Sequence, residues 1–101
     1  MNKRLLPEIR AADLLAAALR VATRNGWRTL TREAVATEAQ VSPGLVSLHL
    51  GTVDNMRRDV MRAAIRERCV RVVAEGLALN DRHARKAPDE LKLAAAEWVK
   101  Q

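Results

Sequence analysis

The chain has 101 residues, a formal net charge of +6 and an apolar fraction of 49%. That length accommodates one small domain with a modest core and excludes a second. A single cysteine, Cys69, excludes an internal disulfide and points to a reducing compartment. There is no Phe or Tyr, and Trp27 and Trp98 are the only aromatics of their size, so alanine carries much of the apolar count; alanine favours close-packed helices over sheets. The basic balance points to an anionic partner, nucleic acid before a membrane surface or an acidic protein, against the plainer reading of a solvated basic surface. No apolar run is long enough to span a bilayer. The start, Met-Asn-Lys-Arg-Leu-Leu-Pro-Glu, lacks the long apolar stretch of a signal peptide. The chain reads as cytoplasmic and complete.

Periodicity predicts a first helix over residues 7–25. Pro7 suits its first turn, and Glu8 complements the positive end of the dipole. Leu15, Ala18, Leu19 and Ala22 form its expected buried stripe. Gly26 fits the left-handed residue that ends a helix, and Trp27 folds back on the helix just left. Thr31 caps a second, short helix over residues 32–40, with Glu33 in its first turn and Val35, Ala36 and Ala39 facing inward. A tight turn at Gln40 and Val41 leads to Ser42.

The stretch "VSPGLVSLHL", residues 41–50, alternates apolar and polar from Val46 to Leu50 as a half-buried strand does. It also opens with Ser42-Pro43-Gly44, a capping hydroxyl followed by proline at the first helical position. A lone strand among helices has no partner to pair with, so the helix reading prevails. On a helical wheel Val46, Leu50 and then Val53 point to a core. Gly44, Leu45 and Leu48 fall on the opposite side, with Ser47 and His49 on the flanks. Gly51 and Thr52 break this helix and cap a long one over residues 53–75, with Gly76 as its stop. That helix carries one apolar stripe of Met56, Val60, Ala63 and Ala64 and a second of Met61, Ile65, Cys69, Val72 and Val73, as a central or shared helix does. A basic loop, Arg82 to Lys86, follows. Pro88, Asp89 and Glu90 then open a last helix over residues 89–100, with Leu91, Ala94, Ala95 and Trp98 on one stripe. The prediction is an all-α chain: a three-helix unit, a long fourth helix and a short C-terminal helix, with no repeat and no linker.

The residues narrow this further. The stretch "LLAAALRVATRNGWRTLTREAVATEAQVSPGLVSLHLGTVDNMRRDVM", residues 14–61, resembles without a gap the helix-turn-helix DNA-binding domain of the tetracycline-repressor (TetR) family. "AALRVATRNGW" is similar to the family's first helix and its glycine-aromatic ending. "LTREAVATEAQVSPGLV" is similar to its second helix, turn and recognition helix, and "GTVDN" to the start of its fourth. The joint order and spacing carry the likeness, over about half of the chain. The departures are specific. Gln40 stands where the family has a turn glycine, and Ala22 and Leu50 where it has core aromatics. Ser47 replaces a phosphate-touching tyrosine, and Val53 replaces a lysine. The family's large ligand-binding domain is also missing. Residues 77–101 are too few to enclose a small-molecule pocket, so no inducer is expected.

The resemblance implies a DNA-binding region over residues 1–76 and a dimerising C-terminal segment over residues 77–101. As a transcriptional repressor, of a size that suits a plasmid or phage regulator by economy of length, it would insert residues 43–50 into a major groove. Ser42, Pro43, Gly44, Leu45, Ser47, Leu48 and His49 are the candidate base readers, with Leu45 and Leu48 against thymine methyl groups. The plainer alternatives are leucines packed on the protein and a capping histidine. Phosphate candidates are Arg28, Thr31 and Arg32 at the second helix, Thr52 and Asn55 at the fourth, and Lys3 and Arg4 as an arm; for each arginine a solvated helix face competes. A palindromic operator calls for a homodimer, with Ile65, Cys69, Val72, Val73, Leu77, Leu79, Leu91 and Trp98 as its interface, unless the last helix closes the core of one chain. The second function class is a protein-interaction module presenting Leu45 and Leu48 to a polymerase or replication factor. An enzyme is the third and weakest: His49 and His83 have no metal-ligand spacing, Cys69 reads as packed rather than nucleophilic, and neither a glycine-rich phosphate loop nor paired carboxylates are present, Asp89 and Glu90 serving as helix-start charge, so no cofactor is expected.

Overall fold

A computed structural model describes residues 7–101, with side chains from residue 10 onward. The described residues form six helices and no strand: α1 (Pro7–Asn25), α2 (Arg32–Ala39), α3 (Pro43–Leu50), α4 (Val53–Arg66), α5 (Val70–Ala78) and α6 (Asp89–Val99), with a 3-10 turn at Ala84–Lys86. The all-α expectation holds, and Pro43–Leu50 is helical rather than extended.

α1 ends at Gly26, where φ is +114°, with the Gly26 amide donating to Ala22 O at 2.9 Å. Its buried face is Leu14, Ala17, Ala18, Val21 and Ala22, rotated from the expected stripe; Leu15 and Leu19 are half-buried. Residues 14–19 read Leu-Leu-Ala-Ala-Ala-Leu, and a run apolar at every position gives no phase to a helical period. Trp27 is buried against α4, its indole Nε1 donating to Arg57 O at 2.9 Å. Glu75 of α5 ties down the same loop: its two carboxylate oxygens accept the Trp27 and Arg28 amides at 2.7 and 2.9 Å.

The next three helix starts are capped by hydroxyls. Thr31, Ser42 and Thr52 accept the amides of Ala34, Leu45 and Asn55 at 3.1, 3.2 and 3.1 Å, each satisfying an amide that has no partner inside its helix. α2 ends on Gln40, whose backbone is left-handed (φ 61°, ψ 47°). α3 ends on Gly51 at φ 76°, ψ −145°, a region open essentially to glycine alone.

The single long helix expected over residues 53–75 is two. α4 stops at Arg66, Arg68 turns left-handed (φ 57°), and α5 begins at Val70. The elbow is closed by Arg68 N to Ile65 O (3.2 Å) and Cys69 N to Ala64 O (2.7 Å), the paired bonds that end helices at a left-handed residue. Cys69 therefore stands at the head of α5, not mid-helix, and offers α5 no side-chain cap. Gly76 is not the stop. It is buried inside α5, where any Cβ would strike Met61 Cε and Ala84 Cβ, so it lets α5 lie close on α4 and the 3-10 turn. α5 ends instead at Ala78, with Asn80 just beyond it left-handed at φ 62°. Asp81 Oδ2 then accepts the amides of His83 and Ala84 at 3.0 and 2.8 Å, starting the 3-10 turn.

One continuous core runs from Leu14 on α1 through Val46, Met56 and Met61 to Val73, Leu91 and Ala95. The expected boundary at residue 76 falls within α5. No described helix is long and apolar enough to cross a membrane.

Candidate nucleic-acid interface

α3 is a rod of 8 residues fixed on one side. Val46 and Leu50 are buried, and Val53 packs against the same core from the start of α4. Val46 and Leu50 are one helical turn apart, so burying both presents the opposite side outward. Gly44 is exposed there, Ser42 and Pro43 are exposed at the start of the helix, and Leu48 is 75% exposed, the most open of the large apolar side chains among the described residues. Leu45, Ser47 and His49 are half-buried along the flanks. No protein atom crowds Gly44: an added Cβ would meet only Ser42 Oγ, at 3.9 Å. Of the seven expected base readers, four are exposed and three half-buried, and of the four exposed ones Gly44 and Leu48 share the side of α3 opposite Val46 and Leu50.

Arg32 departs from its expected part. Its Nη1 donates to Ser47 Oγ at 3.3 Å and to Gly51 O at 3.2 Å. The guanidinium therefore clasps the carboxyl end of α3 to α2, satisfying a carbonyl the helix leaves free. This makes Arg32 a positioning residue for α3, and it draws Ser47 toward the protein. Reach across 15 and 19 residues of chain carried no signal in the sequence.

Thr31 and Thr52 are exposed. Each uses its oxygen as an acceptor for the cap, which leaves the hydroxyl hydrogen free to donate outward. Asn55 and Arg28 are also exposed, and the Arg28 backbone is held by Glu75. Lys3 and Arg4 lie outside the described residues. Charge is unevenly placed: no Lys or Arg occurs between Arg32 and Arg57, so α3 and the start of α4 carry no permanent cation. Arg20 and Arg24 of α1 both grip Glu38 of α2, at 2.9 and 3.0 Å. Those hydrogen bonds, Arg20's first and Arg24's next, hold the Glu38 carboxyl below its ordinary value.

The chain matches no known protein family, curated protein or solved structure.

The expected dimer residues divide. Val72, Val73 and Leu91 are sealed in the core of the single chain and offer nothing to a partner, because α6 folds back and closes the second stripe. Ile65, Cys69 and Leu77 are half-buried and pack against that core. Trp98 and Leu79 remain open, at 43% and 41% exposure. Two residues that the stripe pattern missed join them on α6, Leu93 (68%) and Val99 (61%). They lie off the stripe that buries Leu91 and Ala95, which is why periodicity passed over them. Cys69 Sγ lies 3.3 Å from Thr23 Oγ1. Among the described residues no three His, Cys, Asp or Glu side chains gather as a metal ion would require.

Proposed function

We propose that the chain is a sequence-specific DNA-binding transcriptional regulator, a small repressor that binds an inverted repeat as a homodimer through α3. The observation that carries this reading is the exposed face of α3, led by Leu48 and flanked by the uncrowded Gly44, on a helix anchored at Val46 and Leu50 and clasped by Arg32. An α-helix of this diameter fits a major groove. Leu48 and Leu45 meet thymine methyl groups, Gly44 lets the backbone approach, and Ser47 and His49 reach base edges or phosphates from the flanks. Phosphates are held by Arg28, Thr31, Thr52 and Asn55, with the amide ends of α2 and α4 adding their partial positive charge. The TetR resemblance of residues 14–61 supports the same assignment of helices.

The missing cation between Arg32 and Arg57 favours a second reading, an interaction module that seats Leu45 and Leu48 in an apolar cleft of a protein partner. Selection of bound fragments from random duplex DNA separates the two. A repressor recovers an inverted repeat; an interaction module recovers no consensus. Salt dependence adds a second criterion. Phosphate contacts release counterions, so log K falls linearly with log salt, by about 0.9 for each phosphate held. Arg28→Glu weakens DNA binding under the first reading and leaves a protein partner bound under the second. Arg28 is a better probe than Arg32, because removing Arg32 also loosens α3.

A further inference from the structure

A concave surface lies between α1 and the α4–α5 elbow. Its volume is about 810 Å³, within the range of small-molecule sites. Leu15, Ala16 and Leu19 of α1 and Ala63 of α4 supply an apolar floor. Its inner polar atoms already have partners: Thr23 Oγ1 donates to Leu19 O at 2.7 Å and lies 3.3 Å from Cys69 Sγ. The floor therefore asks a ligand for no hydrogen bond.

Charge is confined to the rim, where Arg20, Arg24, Arg66 and Arg71 stand with one acid, Glu67. Arg20 and Arg24 share the single carboxylate of Glu38. Arg71 Nη2 reaches only the Arg24 carbonyl, at 3.4 Å. Arg66 makes no ion pair among the described residues. The rim is net positive over an apolar trough.

We propose that this groove binds a single-chain anionic amphiphile. Its hydrocarbon lies along Leu15, Leu19 and Ala63, and its carboxylate or phosphate-type head is held by the guanidinium groups of Arg66 and Arg71, whose planar forks suit such oxyanions. A nucleotide would match the rim and leave the floor exposed to water; a neutral or cationic amphiphile would match the floor and not the rim. The expectation of no small-molecule ligand rested on the shortness of residues 77–101, and this groove lies elsewhere in the fold.

The test is calorimetric titration of the full chain with dodecanoate below its micellar concentration, with dodecanol and dodecyltrimethylammonium as controls and amide chemical shifts as the map. The expected result is saturable one-to-one binding of dodecanoate, with shifts at Leu15, Leu19, Thr23 and Cys69. The Arg66→Glu/Arg71→Glu double variant weakens binding more than tenfold with an unchanged circular dichroism spectrum. Ala16→Trp, an exposed position on the floor, blocks binding without changing charge. Equal binding of the cationic control, shifts away from the groove, or no saturable binding overturns the proposal. So does a groove whose amides respond to dilution rather than to dodecanoate, which would mark it as a contact between copies. The assay contains no DNA, so its outcome is independent of the regulator reading.

Discussion

Gln40, Arg68 and Asn80 adopt φ of 61°, 57° and 62°, and each closes a helix by the same pair of bonds, of which Val41 N to Ala36 O, Cys69 N to Ala64 O and Asp81 N to Gly76 O span the more residues. Glycine adopts this conformation freely, whereas a residue with a Cβ is strained there by about 1 kcal/mol. Gln40 is exposed, so Gln40→Gly loses no packing. It is expected to raise the unfolding free energy by about 1 kcal/mol, measured by urea denaturation, and Gln40→Val to lower it. Gln40 was legible in advance only through its place in a family-like turn. Arg68 carries no mark in the sequence, because arginine does not announce a left-handed backbone, whereas Asn80 is a residue type that favours one and was passed over for Gly76. Arg32 was legible as a cation near a helix start but not as the clasp on Ser47 and Gly51, a contact made only once α2 and α3 have folded together.

At the scale of elements, the hydroxyl caps made the starts of α2, α3 and α4 readable, and the lack of any partner strand settled helix over strand for α3. The elbow between α4 and α5 was not readable. Residues 53–75 contain no glycine or proline, and their apolar positions keep a helical period through the break. Gly76 was misread for the converse reason: a glycine near the end of a periodic run looks like a stop, yet this one serves close packing. Gly76→Val is accordingly expected to destabilise the fold by roughly 1–3 kcal/mol through overpacking against Met61 and Ala84, read from the denaturation midpoint. Within α3 the two faces should respond differently. Val46→Ala removes fully buried methyl groups and costs about 1–2 kcal/mol, whereas Leu48→Ala stays within about 0.5 kcal/mol of wild type. The α1–α2 contact is pH-sensitive. The Glu38 carboxyl is lowered in the fold by its bonds to Arg20 and Arg24, so its stabilisation is fully present above the unfolded value of 4.5 and is lost as pH falls through the lowered folded value. The stability difference between wild type and Glu38→Gln should therefore shrink between pH 7 and pH 3. Both arginines are exposed, so added salt should shrink it at pH 7 as well.

Over the whole molecule, cationic side chains gather on α1, α4 and around the 3-10 turn, while the segment from Glu33 to Met56 has none. Composition revealed the net charge but not this separation, which bears on how a DNA duplex would be held: at the helix ends and by Arg28 rather than along α3. The folding back of α6 likewise removes Val72, Val73 and Leu91 from any homodimer contact and leaves Leu93, Trp98 and Val99 as open α6 surface that a dimer could use. A Leu93→Glu/Val99→Glu variant should then sediment as a monomer under conditions where wild type is dimeric, with unchanged helix content.

The central claim is that the outward face of α3 reads DNA. It is tested most directly by measuring the affinity of wild type and Leu48→Glu for the duplex selected by the wild-type chain. Leu48 is 75% exposed, so the substitution should leave thermal stability unchanged, while a carboxylate brought to the groove should lower affinity more than tenfold, about 1.4 kcal/mol or more. A stable Leu48→Glu protein that binds the selected duplex as tightly as wild type would contradict the account.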